Sequence, residues 1–321
     1  MSDPNRPLLR WHGGKWRLAP WIIDHFPPHR IYVEPFGGAA SVLLRKPRAY
    51  AEIYNDLDDD LVNIFRMLRD EASAERLVRL LEQTPFARGE FERSYRPSRD
   101  PVERARRMIV RSFMGFGTDG TCGIYRTGFR SKSNRSHTTP AHDWASYPPA
   151  LRRTIDRLAG VVIENRDATE VMLAHDGPHT LHYVDPPYMH ETRSRRTNRR
   201  GIGVIVYNHE LSDQDHSKLL DFLQGLRGMV VLSGYRSPTY DAALKGWRCV
   251  EKAARADGGR ARTEVLWINP AAREAASSPT LWCASERATL VREPRHEGQA
   301  AQEDRQPDGL VPLHERQDFN A

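Results

Sequence analysis

The chain contains few cysteines and no long apolar segment, and each of these absences excludes a class of protein. Only Cys122, Cys249 and Cys283 occur in 321 residues, a number and spacing that support neither a disulfide framework nor a Cys-x-x-Cys metal pair. No apolar run approaches the roughly 20 residues of a membrane span, and the N-terminal residues lack the apolar core of a signal peptide. We therefore expect a reduced, soluble protein that resides in the cytoplasm.

Positive charge exceeds negative charge along the chain. Lysine and arginine number 48 against 42 acidic residues, which gives a formal charge of +6 and an isoelectric point near 9.3. Such a balance favours a polyanionic partner without requiring one. The hydrophobic content of 39% is sufficient for a buried core, and the length suits one large domain or two ordinary ones.

Short runs rich in β-forming residues alternate with helical patterns, which predicts an α/β fold with a mostly parallel sheet. The six predicted strands lie within 30–36, 51–56, 160–167, 180–187, 229–235 and 263–270. After the second strand, an amphipathic helix is predicted, with acids at its start and arginines at its end. Its apolar stripe consists of Leu57, Leu61, Ile64, Phe65 and Leu68.

The second and third predicted strands are separated by about a hundred residues, whereas the loops of a strand-to-strand crossover usually span about 2 to 6 residues. We therefore predict an inserted module over 85–160. It is helical through 104–113 and rich in loop residues, with a hairpin, over 114–140. From 271 to 321 the apolar periodicity is lost, which predicts a disordered tail.

Unusual residues follow the first two predicted strands, where ligands bind in an open α/β sheet. The glycines of "VEPFGGAAS" (33–41) would let the backbone approach a ligand closely, although a plain strand-to-helix turn explains them equally well. Asp56 follows Gly37 by 19 residues, close to the offset of about 20 at which an acid meets ribose hydroxyls. An acid at this position can also cap the following helix.

The fourth predicted strand ends in "YVDPPYMHET" (183–192). Two prolines stop a strand abruptly, but a turn needs neither an acid before them nor an aromatic residue after them. An exocyclic amino group offers two N–H donors, which the Asp185 carboxylate and the Pro186 carbonyl can accept. Accepting both hydrogens directs the nitrogen lone pair towards an electrophile, and Tyr188 can stack on the base that carries the amino group.

These motifs occur together in an order that resembles the Dam-like DNA adenine methyltransferases of phages and restriction-modification systems. The order is "RWHGGK", "VEPFGGAAS", "NDLDDDLVN", an insert and "VDPPY", within about residues 8–270. The resemblance implies a Rossmann-like methyltransferase sheet, mostly parallel with one antiparallel strand, formed by 1–84 and 161–270. It also implies that 85–160 is a target-recognition module, that S-adenosylmethionine is the cofactor, and that no metal is required.

The resemblance assigns roles to individual residues. The cofactor-binding set is Trp11, Lys15, Glu34, Phe36, Gly38, Asp56, Asp167 and Asp185, and the catalytic set is Asp185, Pro186 and Tyr188. Two assignments keep plain alternatives, because Lys15 could be a solvated surface lysine and Asp167 a surface acid at the start of a loop. The chain departs from the family pattern at His12, where a small residue is common, and at Ala40, where a second glycine is usual.

The expected partner is double-stranded DNA, bound by a monomer. Arg126 and Arg130 can read guanine, Phe116 can wedge into the base stack, and Arg195 and Arg196 can hold phosphates, although a solvated face is the usual explanation of a charge run. The polar side chains of the insert differ from those of the family's recognition hairpin. The GATC specificity of its best-known members therefore does not carry over.

The sequence thus predicts a site-specific DNA methyltransferase that flips an adenine out of the duplex and methylates its exocyclic nitrogen. Alternatives within the fold are methylation of cytosine N4, of an RNA base or of a protein glutamine. By family analogy, serine before "PPY" favours cytosine and asparagine favours a side-chain amide, so Asp185 favours adenine. A non-catalytic DNA-binding relic is the alternative from another class, and it would be expected to lose Asp185 or Asp56, both of which are present. A nicotinamide-dependent oxidoreductase is disfavoured because a full Gly-x-Gly-x-x-Gly motif is absent.

Overall fold

A computed structural model describes six stretches of the chain. They are residues 3–118, 120–123, 125–131, 138–189, 209–255 and 261–277. Arg195 and Arg196 lie outside the described residues, as does most of the predicted tail.

Seven strands form a single sheet. They are β1 (Ile31–Glu34), β2 (Ala51–Asn55), β3 (Val161–Glu164), β4 (Thr180–Val184), β5 (Met229–Gly234), β6 (Arg248–Arg255) and β7 (Ala261–Ile268), in the order β3-β2-β1-β4-β5-β7-β6. Neighbouring strands from β3 to β5 pair in parallel, whereas β7 pairs antiparallel with both β5 and β6. Among the described strands β7 alone runs in the opposite direction, which confirms the predicted sheet.

Strand β6 is missing from the sequence prediction, which placed six strands. Its sequence, "RCVEKAAR", carries several charges and lacks a continuous apolar pattern. It forms an edge of the sheet and pairs with β7 over eight residues, from Arg248 opposite Ile268 to Arg255 opposite Ala261. Backbone pairing with a neighbour, which leaves no local sequence signature, therefore accounts for this strand.

Eleven helices are present in the described part of the chain. They are α1 (Ala19–Ile23), α2 (Asp59–Arg69), α3 (Glu71–Glu82), α4 (Arg88–Arg93), α5 (Pro101–Met114), α6 (Pro140–Ala145), α7 (Tyr147–Arg157), α8 (Ala168–Ala174), α9 (Asp213–Gln224), α10 (Pro238–Ala243) and α11 (Pro270–Ser277). Helix α2 confirms the helix predicted after Asp56. Its N-cap is Asp58, which accepts hydrogen bonds from the amides of Asp60 and Leu61. Leu57 precedes the helix and is exposed, so it does not belong to the apolar stripe.

The sheet has a hydrophobic cluster on each face. One cluster joins Tyr183 and Val231 to the apolar sides of α2, α3, α5 and α7, and the other joins Val184 and Leu232 to α8, α9 and α10. Because successive side chains of a strand point to opposite faces, neighbouring residues enter different clusters. Helix α5, from the predicted insert, packs on α2 and shares the first cluster with the sheet. The insert is thus built onto the core of the sheet.

The disordered tail was predicted to begin too early. Residues 271–277 belong to α11, where Ala272 is fully buried and its amide donates a hydrogen bond to Asn269 Oδ1. The segment is a short, alanine-rich helix that packs against β5. A helix of eight residues is too short to show a clear apolar period, and its stability comes from that tertiary contact.

Candidate active site

A cavity of about 380 Å³ lies beyond the carboxyl ends of β1, β2 and β4. Its wall contains nine of the residues predicted to bind the cofactor or act in catalysis, namely Trp11, Lys15, Glu34, Phe36, Gly38, Asp56, Asp185, Pro186 and Tyr188. Parallel strands end at one edge of the sheet, which is why motifs that are distant in sequence meet there.

The turn after β1 requires its glycines. A Cβ atom on Gly37 would lie 2.2 Å from the Tyr54 ring, and Gly38 has a φ of +50° with Trp11 Nε1 3.0 Å from the position of a Cβ. Ala40 also adopts a left-handed conformation, with a φ of +53°. This conformation explains why glycine is usual at that position, since a side chain there costs about 1 kcal/mol.

Asp56 is held at the end of β2 by two backbone amides. Its Oδ2 accepts a hydrogen bond from the Gly38 amide at 2.9 Å and its Oδ1 one from the Asp58 amide at 2.9 Å. Burial raises the pKa of Asp56 to about 6, against the lowering effect of these two hydrogen bonds. Asp58, rather than Asp56, caps α2. The carboxylate of Asp56 is therefore oriented in the cavity wall and keeps lone pairs for a ligand.

Glu34 is buried at the end of β1. Its Oε2 accepts hydrogen bonds from the Tyr32 hydroxyl at 2.7 Å and from the Leu43 amide at 2.9 Å. Burial raises the pKa of Glu34 to about 8, although both hydrogen bonds act to lower it. Near neutral pH the group is therefore largely protonated, so it can also donate a hydrogen bond.

Asp185 and Lys15 form a buried ion pair. The Lys15 Nζ atom lies 2.8 Å from Asp185 Oδ2, donates to the Gly13 carbonyl at 3.0 Å, and lies 4.7 Å from the centroid of the Tyr188 ring. Lys15 is consequently no solvated surface lysine. The other carboxylate oxygen, Asp185 Oδ1, is buried and meets no hydrogen-bond partner among the described residues.

The protonation states of this pair follow from its geometry. Burial raises the pKa of Asp185 above its ordinary value, and the Lys15 ammonium opposes that rise. Burial alone would lower the pKa of Lys15, but the Asp185 and Glu264 charges outweigh it and the pKa lies above its ordinary value. Lys15 is therefore a cation beside the carboxylate.

Tyr188 contacts a polar group that sequence reasoning missed. Its hydroxyl donates to Glu264 Oε2 at 3.2 Å and lies 3.4 Å from Ser233 Oγ. Its ring meets the Tyr235 ring edge to face, with centroids 4.5 Å apart. Two signals could have revealed these residues, because Tyr235 follows the end of β5 and Glu264 is an acid directly before the apolar run 265–268 of β7.

Asp167 is the predicted cofactor residue that does not line the cavity. Its side chain is exposed and caps α8 by accepting a hydrogen bond from the Thr169 amide at 2.8 Å. The next residue, Ala168, does line the cavity. This arrangement matches the alternative of a surface acid at the start of a loop.

The predicted DNA-contacting residues of the insert differ in exposure. Phe116 is 72% exposed, and its loop touches the cavity wall through Thr118, whose Oγ1 lies 3.4 Å from His12 Nδ1. Arg126 is exposed, with its guanidinium 5.4 Å from the centroid of the Tyr95 ring. Arg130 is partly buried and lies 3.8 Å from Asp143. A DNA-binding role for these residues stays a prediction.

Within the described stretches, no group of three or more His, Cys, Asp or Glu side chains is arranged to hold a metal ion. In those same stretches, every helix is too short or too polar to cross a membrane.

Comparison with known proteins finds a matching family model and several similar proteins. A family model described as D12 class N6 adenine-specific DNA methyltransferase matches residues 11–246. The DNA adenine methylase of Escherichia coli K12 is 32% identical over 123 residues, which are 37% of this chain and 43% of that protein. The chain thus spans less than half the length of this relative.

Two further relatives match longer stretches. The DNA adenine methylase of Haemophilus influenzae is 30% identical over 192 residues, which cover 57% of this chain and 64% of that protein. The type II methyltransferase M.MjaIII of Methanocaldococcus jannaschii is 22% identical over 243 residues, covering 69% and 80% respectively.

Proposed function

Because the chain belongs to the D12 class N6 adenine-specific DNA methyltransferases, we propose that it methylates the exocyclic amino group of an adenine flipped out of double-stranded DNA. The methyl donor in this proposal is S-adenosylmethionine. One observation carries the proposal most directly: Asp185 is buried in the cavity wall with one carboxylate oxygen paired to Lys15 and the other without a partner among the described residues.

The unpaired oxygen suits an amino group. A buried acceptor without a partner is unfavourable, and an N–H of adenine would remove that cost by donating to Asp185 Oδ1. The Pro186 carbonyl, next along the cavity wall, is the second acceptor in this proposal. With both hydrogens held, the nitrogen lone pair is free to point at the methyl group.

Lys15 contributes by keeping Asp185 ionised. A carboxylic acid would offer a hydrogen to the amino group, whereas a carboxylate can only accept one. The ammonium 2.8 Å away stabilises the carboxylate against the effect of burial. In this role Lys15 supports the Asp185 carboxylate, in addition to the cofactor contact that the family resemblance implies.

The remainder of the cavity wall fits S-adenosylmethionine. Asp56 can accept hydrogen bonds from the ribose hydroxyls, since two amides hold its carboxylate in place. Gly37 and Gly38 allow close backbone approach, and Trp11 and Phe36 supply apolar surface. When bound, the cofactor supplies an electrophilic methyl group on a sulfonium centre.

The proposal also includes the residues that would contact DNA. Phe116 projects from a loop that touches the cavity wall, which supports its role as a wedge for the vacated base position. Arg126 is exposed and available for a base edge, whereas Arg130 would have to exchange its contact with Asp143 for one with DNA. Arg195 and Arg196, which lie outside the described residues, are proposed to hold phosphates.

The test is to incubate the full chain with methyl-labelled S-adenosylmethionine and unmethylated duplex DNA and then to digest the DNA to nucleosides. Label in N6-methyldeoxyadenosine is the expected result. Label in N4-methylcytosine, or label accepted only by RNA or protein, would contradict the choice of substrate. Cofactor and DNA binding without any transfer would instead indicate a non-catalytic relic.

A further inference from the structure

Strand β7 runs antiparallel to β5, so the beginning of β7 lies where β5 ends. In the register, Gly234 at the end of β5 is opposite Val265, and Glu264 is the adjoining residue of β7. A parallel strand could not place a residue from its own beginning at this edge of the sheet. The reversal therefore brings Glu264 to the carboxyl ends of the strands, beside the residues that follow them.

Glu264 is a buried carboxylate, with 8% of its surface exposed. It accepts hydrogen bonds from two tyrosine hydroxyls, Tyr188 through Oε2 at 3.2 Å and Tyr235 through Oε1 at 3.0 Å. Tyr235 in turn accepts a hydrogen bond from Arg262 Nη1 at 3.1 Å. Burying a carboxylate is costly, and a neutral side chain would be enough to fill this space.

The two tyrosines are also linked through their rings, whose planes meet at 70° with centroids 4.5 Å apart. Tyr188 is thus fixed at its hydroxyl by Glu264 and at its ring edge or face by Tyr235. An aromatic ring that stacks on a flipped base must be held in one orientation before the base arrives, because ordering it afterwards reduces affinity.

We propose that Glu264 is a positioning residue that acts through Tyr188, fixing the orientation in which that ring receives the flipped base. The assignment rests on the proposed function, because it concerns the capture of the base. Glu264 does not line the cavity itself. It contacts the base-stacking residue through the hydrogen bond from the Tyr188 hydroxyl, and its charge also acts on Lys15 and Asp185.

The test uses the full chain in wild-type form and as Glu264→Ala, Glu264→Gln, Tyr188→Phe and Tyr235→Phe. Single-turnover methylation rate is measured together with base extrusion, reported by a fluorescent adenine analogue at the target position, and with the dissociation constant for S-adenosylmethionine. Extrusion and cofactor binding require no methyl transfer. They therefore separate a loss of base capture from a general loss of structure.

We expect Glu264→Ala to lower the single-turnover rate about 10- to 100-fold, as for a lost hydrogen bond to a charged group, with a parallel loss of the extrusion signal. Glutamine retains an acceptor oxygen and should restore most of both. Tyr188→Phe should reproduce most of the effect of the alanine variant, and combining the two should add little, because both remove the hydrogen bond between Tyr188 and Glu264. Tyr235→Phe should have a smaller effect, and cofactor affinity should stay within about twofold throughout.

Several outcomes would overturn the assignment. If folded Glu264→Ala extrudes and methylates like wild type, the hydrogen bond does not position the ring. If Glu264→Gln is as impaired as Glu264→Ala, the charge matters and the acceptor does not. If Glu264→Ala fails to fold, Tyr188→Phe tests the same hydrogen bond from its other end. Wild-type protein that neither extrudes nor methylates adenine would instead contradict the proposed function.

Discussion

The Lys15 ammonium lies 2.8 Å from Asp185 Oδ2, whereas the other carboxylate oxygen, Oδ1, meets no hydrogen-bond partner among the described residues. The two residues are far apart in the sequence, the first before β1 and the second directly after β4. Their contact links the N-terminal motif to the catalytic one.

Asp185→Ala should abolish methyl transfer while the protein stays folded, because the change removes the acceptor for the amino hydrogen. The measurement is the single-turnover rate with labelled cofactor, with circular dichroism as the check on folding. Activity within about tenfold of wild type, equal to about 1.4 kcal/mol in the barrier, would contradict the assignment.

Lys15→Met should move the pH dependence of methylation towards higher pH. Lys15 lowers the pKa of Asp185 against the raising effect of burial, so its removal leaves burial unopposed and the carboxylate forms at higher pH. The measurement is the single-turnover rate as a function of pH at saturating cofactor. Lys15→Arg keeps the cation and is the matched control, and a profile that does not move in Lys15→Met would exclude the proposed role.

Asp56→Asn should weaken S-adenosylmethionine binding, since a hydrogen bond to a charged acceptor contributes about 1.5 to 3 kcal/mol. The pKa of Asp56 is raised to about 6 by burial, so the wild-type dissociation constant should rise roughly tenfold as pH falls from 7 to 5. The asparagine variant should lack this dependence. Calorimetry at both pH values checks it, and Asp167→Ala measured alongside shows whether that exposed acid contributes to binding.

Glu52→Gln should destabilise the fold by about 3 kcal/mol, because it breaks a buried ion network. Glu52 accepts hydrogen bonds from Lys46 Nζ at 2.6 Å and from Arg157 at 2.7 and 2.9 Å. Burial acts to raise the pKa of Glu52, but the two cations outweigh it and lower it. The stability from this group is therefore present above the ordinary carboxyl pKa and lost as pH falls through the lowered value.

Urea unfolding measures the effect of Glu52→Gln. The matched control is Glu170→Gln on α8, which removes an exposed ion pair with Arg166 and should change the free energy of unfolding by less than about 0.5 kcal/mol. Equal effects of the two changes would mean that burial does not strengthen the network.

Arg126→Ala or Arg130→Ala should change which sites are methylated, since an arginine bound to guanine contributes about 1 to 3 kcal/mol of discrimination. Arg195→Ala and Arg196→Ala should lower the yield at all sites and flatten the salt dependence, as expected for phosphate contacts. Long-read mapping of methylated adenines in genomic DNA measures both. Arg152→Ala, which changes an exposed arginine of α7 in the same insert, is the control. An unchanged methylation motif in both Arg126→Ala and Arg130→Ala would contradict the role of these arginines in reading the DNA sequence.

The sequence alone determined the strands with strong apolar patterns and the residues that follow them. Apolar runs, a proline pair after Asp185 and glycines after Glu34 act through local backbone chemistry, so they can be read without knowing the fold. For this reason six strands and helix α2 were predicted correctly in position, whereas Trp11 and Lys15, which line the cavity, were assigned from the family resemblance. The left-handed backbone conformation of Ala40 falls at the position where the sequence has alanine in place of the usual glycine.

The tertiary structure decided which of these groups touch and which unmarked residues join them. Asp167 carries the same side chain as Asp185, but its place at the start of α8 turns it to helix capping. Strand β6 forms through pairing with β7, and α11 through packing on β5. Glu264 reaches Tyr188 because β7 runs in the opposite direction to the other described strands. The direction of a strand is set by the packing of the whole sheet, and no local sequence pattern around Glu264 encodes it.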